Sequence, residues 1–379
     1  MMRMFGQTSW HISNRQVDAF VTELGGHLGP VAFQLPGKRV QPYSIAPWAE
    51  EKGGEDLVPL LKALRGDFFC LPFGGNGTAF RGEHHPPHGD TANARWALES
   101  LDEQLERTTL HLSLNTSTRP GRVDKKIFLI DGQHAVYCQH TVSGMRGPMS
   151  VGHHAMIRFP DEPGGGVIST SRIAFGQVLP EPFERPENRG YCCLQPGATF
   201  ESLEAVPTVT GGTADLTRYP ARRGFEDLVM LVNDPEAPFA WNAIVFPAQR
   251  YVWFALKNPR ILRNTVFWIS NGGRHYPPWN GRHVNVLGVE DVTAYFHLGL
   301  AESARKNPLA AKGFPTHLRL DPARPLRVPY IMGVAPVPAG FNQVASIHME
   351  EKALVLEAAN GKRASAIVAP EFLSTTVSW

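Results

Sequence analysis

Three short segments of the chain carry side chains that could move protons. They read PHG at 87–89, GHH at 152–154 and LGVE at 287–290, and they supply His88, His153, His154 and Glu290. An imidazole titrates near neutral pH and a carboxylate is ionised there, so one of each can act as the acid and the base of a reaction. Each segment alone is a weak signal. Together they indicate acid–base chemistry that needs neither a metal nor a cofactor.

The loop before His88 also raises the question of a metal site. It places Glu83, His84, His85 and Asp90 close to His88. A metal needs three or four convergent ligands, whereas two prolines stiffen this loop and neighbouring residues of an extended chain face opposite sides. We therefore expect no bound metal and one imidazole, His88, turned toward a ligand. A metal-dependent, cupin-like enzyme that uses the three histidines is an alternative.

The position of each candidate within its strand decides whether it can reach a site. Adjacent strand residues face opposite ways, so only one of His153 and His154 should face the site. Asp291 fits the start of a helix over Asp291–Arg305, where an acidic side chain caps free backbone N–H groups. Glu290 would then be left free as a site carboxylate.

The chain that must position these side chains reads as almost entirely β. Its 36 glycines and 32 prolines punctuate the sequence as short strands with tight turns require. Five dipeptides are of the hairpin type: Asn76-Gly77, Asp131-Gly132, Asn271-Gly272, Asn280-Gly281 and Asn360-Gly361. Helical periodicity is confined to Leu57–Leu64 and Asp291–Arg305, and Pro180–Gly224 predicts long loops. The strand candidates are Asp18–Glu23, Pro30–Gln34, Phe68–Phe73, Arg95–Leu101, Leu105–Leu114, Lys126–Ile130, His134–Val142, Met149–Phe159, Phe239–Phe246, Tyr251–Leu256, Thr265–Ser270 and Val284–Val289.

Many strands with few helices predict an antiparallel stack of two sheets, since parallel sheets need crossover helices. We therefore expect an all-β fold, a single large β-sandwich domain over residues 1–379. The formal net charge is only +2 and no basic stripe predicts nucleic-acid binding. Four cysteines without CxxC spacing predict neither a zinc site nor a disulfide framework. No apolar run predicts a membrane span or an export leader, so we expect a cytoplasmic protein of undetermined oligomeric state.

The first segment resembles a known superfamily. An Arg65-Gly66 start leads through the sequence LPFG at 71–74 to His88-Gly89, and Arg95-Trp96 follows. This stretch is similar to the aldose 1-epimerase (galactose mutarotase-like) superfamily, and nearest its glucose-6-phosphate 1-epimerase-like branch. The resemblance implies a β-sandwich isomerase that interconverts the α and β anomers of an aldose. It also implies that His88 hydrogen-bonds the bound sugar, with Arg81 or Arg65 assisting.

The other two segments match the same superfamily residue by residue. Its Gly-x-His places the general acid at His154, and its Gly-x-Glu places the general base at Glu290. The sequence departs from the pattern where Ala155-Met156 replaces an aromatic pair and where Asp291 replaces a proline. The resemblance further implies a sugar-binding acid between the second and third segments. Its candidates are Asp215, Asp227 and Asp234.

Polar and aromatic side chains between these segments suit the rim of a sugar cleft. Aromatic rings stack on sugar C–H faces while planar polar groups bind vicinal hydroxyls. The substrate-binding candidates are His88, Arg81, Trp279, Asn271, Arg274 and His153. The expected ligand is a monosaccharide or a sugar phosphate, and a phosphate would require a cationic pocket built from Arg65, Arg81 or Arg274. A non-catalytic carbohydrate-binding protein on the same fold is a second alternative.

Overall fold

The computed structural model describes residues 1–52, 54, 56–351 and 353–374. Its helices are α1 Pro59–Ala63, α2 Leu300–Ala304 and α3 Pro308–Ala311, and 3₁₀ turns lie at Asp90–Ala92, Pro186–Asn188 and Pro370–Leu373. The strands, in chain order, are β1 Met2–Met4, β2 Gln7–Ser13, β3 Val17–Thr22, β4 Leu28–Leu35, β5 Lys38–Val40, β6 Phe69–Cys70, β7 Ala97–Glu103, β8 Arg107–Thr116, β9 Gly121–Ile130, β10 Ala135–Ser143, β11 Gly147–Met149, β12 Val151–His153, β13 Ala155–Arg158, β14 Gly166–Thr170, β15 Ile173–Val178, β16 Thr199–Phe200, β17 Val206–Pro207, β18 Thr213–Ala214, β19 Arg218–Tyr219, β20 Phe225–Asn233, β21 Ala240–Phe246, β22 Tyr251–Lys257, β23 Asn264–Asn271, β24 Val286–Thr293, β25 Leu318–Leu320, β26 Leu326–Pro336, β27 Ser346–Glu350, β28 Ala353–Glu357 and β29 Arg363–Ile367.

Two large antiparallel sheets form the body of the protein. The site sheet has the order β16-β15-β20-β23-β24-β12-β6, with β13 also paired to β24, and the back sheet has the order β19-β14-β21-β22-β26-β10-β9-β8-β7. Alternate residues of β23 show how the site sheet packs: Phe267 and Ile269 join the core between the two sheets, while Val266 and Trp268 join a second apolar cluster on the outer face. Successive side chains of a strand point to opposite faces of its sheet, so one strand contributes to both clusters. The predicted all-β sandwich is confirmed.

Smaller elements cover the two outer faces. The strands β27-β28-β29 form a meander whose Leu354 and Leu356 pack on the outer face of the back sheet. On the opposite side lies the α1 segment, by which we mean helix α1 with its flanking residues, 57–64. Its Leu60 and Leu64 pack on the outer face of the site sheet. A five-stranded N-terminal sheet, β1 to β5, adds Val31 and Phe33 to the central core. The outer face of the site sheet is therefore partly covered, and the protein can form a cavity there.

Most of the predicted elements are present in the structure. Asp131-Gly132 joins β9 to β10 and Asn360-Gly361 joins β28 to β29, as predicted, whereas the other three hairpin-type dipeptides border or lie in longer loops. The stretch Pro180–Gly224 holds only two-residue strands and one 3₁₀ turn, which confirms the expected loops. The stretch predicted as one strand over Met149–Phe159 is divided among the end of β11, β12 and β13, with breaks at Ser150 and His154. Among the described residues, no helix is both long and apolar enough to cross a membrane.

The helix predicted over Asp291–Arg305 is wrong. Residues Val286–Thr293 continue as strand β24, and only Leu300–Ala304 is helical. Asp291 caps no helix. It is fully buried, and its carboxylate lies 2.6 Å from the Lys257 ammonium while it accepts a hydrogen bond of 2.7 Å from Tyr330. These partners on the back sheet compensate the buried charge, so Asp291 can occupy an interior strand position that its polarity argued against.

Candidate functional site

A cavity of about 110 Å³ lies on the outer face of the site sheet, between that sheet and the α1 segment. Aromatic and leucine side chains form most of its wall. The polar residues that line it are His88, His154, His297, Arg274 and Glu290. The apolar lining residues are Leu60, Leu61, Leu64, Phe68, Phe183, Leu228, Trp268 and Trp279. A larger cleft of about 690 Å³ lies elsewhere, around Lys38 and Arg158, and no imidazole or carboxylate is among its described lining residues. The acid–base groups are therefore gathered in the smaller cavity.

His154 and Glu290 are in direct contact in this cavity. The Nε2 atom of His154 lies 3.1 Å from Oε1 of Glu290, and both side chains are at most 5% exposed. The backbone N–H of His154 donates to the carbonyl of Phe68 at 2.9 Å, which holds it at the break between β12 and β13. Its ring stacks on Phe68 with centroids 4.5 Å apart. The two side chains thus come from neighbouring strands and meet on one face.

Glycine at position 288 makes room for this contact. A Cβ atom there would lie 3.0 Å from Oε1 of Glu290 and 3.0 Å from the Cβ of Trp268, closer than ordinary packing allows. The LGVE segment therefore needs glycine at position 288, because the side chains of Glu290 and Trp268 lie close to its Cα atom.

Burial drives both members of the pair toward their neutral forms. Desolvation raises the pKa of Glu290 well above its usual value, although the charge of Arg274 lowers it in part. Desolvation also lowers the pKa of His154 well below its usual value, and the nearby His88 adds to this effect. Oε2 of Glu290 and Nδ1 of His154 are buried without a hydrogen-bond partner among the described residues. Perturbed titration and unsatisfied polar atoms in a cavity are features of functional sites.

His88 faces the same cavity from the PHG loop. Its ring lies edge-on to His154, with centroids 5.1 Å apart. A Cβ atom at Gly89, where φ is 74°, would lie 1.9 Å from the carbonyl oxygen of Leu71, so glycine is required directly after His88. Desolvation lowers the pKa of His88 to about 4, and the ring is therefore neutral at pH 7.

A buried thiol contacts one of the two ring nitrogens of His88. Sγ of Cys70 lies 3.3 Å from Nδ1 of His88. Burial raises the pKa of Cys70 well above its usual value, so the group stays a thiol, which can donate its S–H to Nδ1. The proton of the neutral ring then resides on Nε2, and His88 presents a hydrogen-bond donor rather than an acceptor.

Replacement of Cys70 should change this tautomer. In Cys70→Ala the Nδ1 atom loses its donor, and we expect the ¹⁵N NMR shifts of His88 to move toward a mixture of the two neutral tautomers. Cys70→Ser keeps a hydroxyl donor and should retain the Nε2–H form. Identical ¹⁵N shifts in the wild-type protein and in both variants would contradict the assigned role of the thiol.

Arg274 is the cation among the described lining residues of the cavity, and two acidic side chains favour its charge. Its Nε donates to Oε1 of Glu184 at 2.5 Å, and its guanidinium lies 4.6 Å from the ring centroid of Trp279. Burial opposes the charge of Arg274, but Glu226 and Glu184 outweigh it and raise its pKa. Burial raises the pKa of Glu226 to about 7, and that side chain accepts from the indole N–H of Trp268 at 2.8 Å. Glu184 therefore orients this cation beside two indole rings, and the charge of Glu226 adds to its stabilisation.

Three of the predicted substrate-binding residues lie outside the cavity lining. His153 faces the core between the sheets, where its Nδ1 lies 2.8 Å from Oδ2 of Asp67 and its ring stacks on Tyr330. Asn271 is a buried structural residue that donates to the carbonyl of Ala221 at 2.7 Å. Arg81 is exposed in the loop before His88. The structure thus brings together five of the eight predicted site residues: His154, Glu290, His88, Trp279 and Arg274.

The structure adds acidic residues that the sequence did not point to. Asp227 faces the interior and accepts from the backbone N–H of Leu194 at 2.9 Å, while Glu226 beside it faces outward toward Trp268. The alternation in β20, where Leu228 is also outward, is a signal that could have selected Glu226 over Asp227. Glu184 lies in an irregular loop and carries no such signal. Neither Asp215 nor Asp234 lines the cavity.

The histidines of the loop at 83–90 do not converge. His85 lies 2.9 Å from a carboxylate oxygen of Glu83, His84 is exposed, and His88 faces the cavity. Within the described part of the chain, no group of three or more His, Cys, Asp or Glu side chains is arranged to hold a metal ion. The geometry therefore gives the cupin-like alternative no ligand set.

No known family profile and no curated protein matches this sequence. The similarity to known proteins lies in the three-dimensional structure. A galactose mutarotase-like protein from Clostridium acetobutylicum superposes with a TM-score of 0.59 at 10% identity, covering 88% of this chain and 97% of that one. An aldose epimerase homologue from C. elegans gives 0.56 at 13% identity, covering 88% and 100%. A galactose mutarotase related enzyme from Lactobacillus acidophilus gives 0.55 at 13% identity, covering 86% and 97%.

The fold is therefore galactose mutarotase-like. The resemblance drawn from the three sequence segments is confirmed at this level. At 10–14% identity, similarity to known structures establishes the architecture alone, and activity has to be argued from the site.

Proposed function

We propose that this protein is an aldose 1-epimerase that interconverts the α and β anomers of a monosaccharide. The observation that supports it most is the contact between His154 and Glu290, 3.1 Å apart in a cavity with two indole rings. An anomeric carbon carries both the ring oxygen and the anomeric hydroxyl. An acid and a base that act on these two oxygens must therefore be close neighbours, as these side chains are.

The proposed reaction opens and recloses the sugar ring. Glu290 takes the proton of the anomeric hydroxyl, the O–H electron pair forms the C1=O1 bond, and the C1–O5 bond breaks. His154 delivers a proton to O5 as that bond breaks. After rotation about C1–C2, His154 takes the proton back, O5 attacks the other face of C1, and Glu290 returns its proton to O1. Both residues end in their starting forms, as a reversible isomerase requires.

The protonation of the pair is compatible with these roles. Burial favours a neutral acid at Glu290 and a neutral imidazole at His154, and in this proposal the pair shares one proton. Transfer of that proton across the 3.1 Å contact produces the carboxylate and the imidazolium that the reaction uses. Coupled groups of this kind titrate as a unit, so the pH profile of the rate belongs to the pair.

The remaining lining residues would hold the sugar. The Nε2–H of His88 is positioned to donate to a ring or hydroxyl oxygen. The Nη groups of Arg274, whose Nε is bound to Glu184, can donate to vicinal hydroxyls. Trp268 and Trp279 offer apolar faces for sugar C–H groups. Positioning by these groups supplements the acid–base steps, which contribute about 10²–10⁴-fold each.

Polarimetry of freshly dissolved α-D-glucose and α-D-galactose tests the proposal. At neutral pH, with EDTA present, we expect the purified protein to accelerate the approach to anomeric equilibrium in proportion to its concentration. Binding of the sugars without acceleration would contradict the proposal and favour a non-catalytic carbohydrate-binding protein. Activity that EDTA abolishes would contradict the acid–base mechanism.

A further inference from the structure

The charge around the cavity is balanced before any ligand binds. Among the described lining residues Arg274 is the one cation, and Glu184 and Glu226 both act on it. The other two arginines that could have formed a phosphate pocket are used elsewhere. Arg65 is fully buried and donates to the backbone carbonyls of Met4 and Phe5 at 2.8 Å, and Arg81 lies in the exposed loop. A ligand phosphate or carboxylate would meet no uncompensated positive charge.

One side of the cavity also lacks polar side chains. The α1 segment, which lies over the outer face of the site sheet, contributes Leu60, Leu61 and Leu64. A sugar hydroxyl buried against leucine side chains loses its hydrogen bonds to water without replacement. The polar lining residues lie on the site sheet and its loops, so they cannot serve the part of a ligand that faces the leucines.

We infer, on the basis of the proposed function, that the cavity selects an uncharged aldose whose substituent toward α1 is apolar, of the 6-deoxyhexose type. A methyl group would pack on the leucine wall, while the ring hydroxyls would meet Arg274 and His88. A hexose 6-phosphate or a uronic acid would bring a charge to a neutral, leucine-lined cavity. This differs from the substrate that the glucose-6-phosphate branch of the superfamily would imply.

Sugars that differ only at C6 test the inference. The probes are D-galactose, D-fucose, D-galacturonate and D-galactose 6-phosphate, and the corresponding series built on D-glucose. Exchange NMR of the anomeric protons gives kcat/KM for each sugar, and quenching of tryptophan fluorescence gives its Kd. We expect the 6-deoxy sugar of the better series to exceed its parent hexose in kcat/KM by roughly tenfold, because an apolar pocket discriminates against an added hydroxyl by up to about 10²-fold. Both charged sugars should be weaker than the parent.

A matched pair of variants locates the selectivity in the leucine wall. Leu61 is half-buried and lines the cavity, so Leu61→Asn should fold and should shift the preference toward the parent hexose by roughly tenfold. Leu57 is also half-buried in the same segment but does not line the cavity, so Leu57→Asn should leave the preference unchanged.

The outcomes separate this inference from the proposed function. If the charged or fully hydroxylated sugars react faster than the deoxy sugar, the inference is overturned and the proposed epimerase stands. If Leu57→Asn shifts the preference as much as Leu61→Asn does, the leucine wall is not the source of selectivity. If none of the eight sugars reacts, the proposed function fails. If in addition none of them quenches the fluorescence, the inference fails with it.

Discussion

Glu290→Gln should lower kcat for anomer interconversion by about 10²–10⁴-fold, the usual contribution of one general acid–base group. The substitution is nearly isosteric and keeps the contact with His154, but an amide can neither take up nor return a proton at neutral pH. Burial raises the pKa of Glu290, so the ionised form of this group is destabilised in the folded protein. The free energy of unfolding at neutral pH should therefore not decrease. Polarimetry and urea unfolding of the same preparation measure both quantities.

Glu99→Gln provides the control for this substitution. Glu99 is exposed on β7, where it accepts a hydrogen bond from Ser113, and it does not line the cavity. The Glu99→Gln variant should therefore match the wild-type rate. Full activity of Glu290→Gln would remove Glu290 from the reaction. A rate lost together with stability would show that the residue supports the fold instead.

Lys257→Met should destabilise the protein by about 3–5 kcal/mol, the usual cost of leaving one partner of a buried ion pair uncompensated. Lys257 and Asp291 are fully buried and their charged atoms lie 2.6 Å apart. Desolvation lowers the pKa of Lys257, and the charge of Asp291 offsets that effect in part. Removal of the ammonium leaves the Asp291 carboxylate with only neutral donors, such as the hydroxyl of Tyr330. Urea unfolding of the variant measures the loss.

A second substitution separates lost charge compensation from lost packing. In Lys257→Met/Asp291→Asn the unpaired carboxylate becomes a neutral amide whose oxygen can still accept from Tyr330. We expect the double variant to be more stable than Lys257→Met alone by at least about 1 kcal/mol, since no charge is then left buried. If the effects of the two substitutions simply add, the buried charge is not what destabilises Lys257→Met.

The strands could be predicted because their signals are local. Alternating apolar residues mark β8, and the Asp131-Gly132 turn fixes where β9 ends and β10 begins. The failure at Asp291–Arg305 has a different origin. An aspartate beside a glutamate predicts the solvated start of a helix, and nothing near it in sequence reveals the lysine 34 positions earlier that neutralises it. A partner that is distant along the chain was the missing information.

The residues of the candidate site were likewise predictable only where their signal was local in sequence. His88, His154 and Glu290 were found because each stands in a short segment with a distinctive glycine. Glu184 and Glu226 were missed because both act on Arg274, and the contact of Glu184 with Arg274 exists only after the loop at 180–190 packs against the site sheet. Arg81, Asn271 and His153 have suitable side chains, but their direction depends on loop path and strand pleat rather than on residue type.

The two inward-facing neighbours of the acid–base pair have a consequence for the accuracy of folding. Glu290 precedes Asp291, and His154 follows His153, so a slip of either strand by one residue would exchange the cavity residue for the core residue. Such a slip would also separate Asp291 from Lys257 or His153 from Asp67, which lie 2.6 Å and 2.8 Å apart. These two buried contacts therefore favour the correct register of both strands. A chain that has paired them correctly has, by the same event, placed the two proposed proton-transfer groups, His154 and Glu290, side by side.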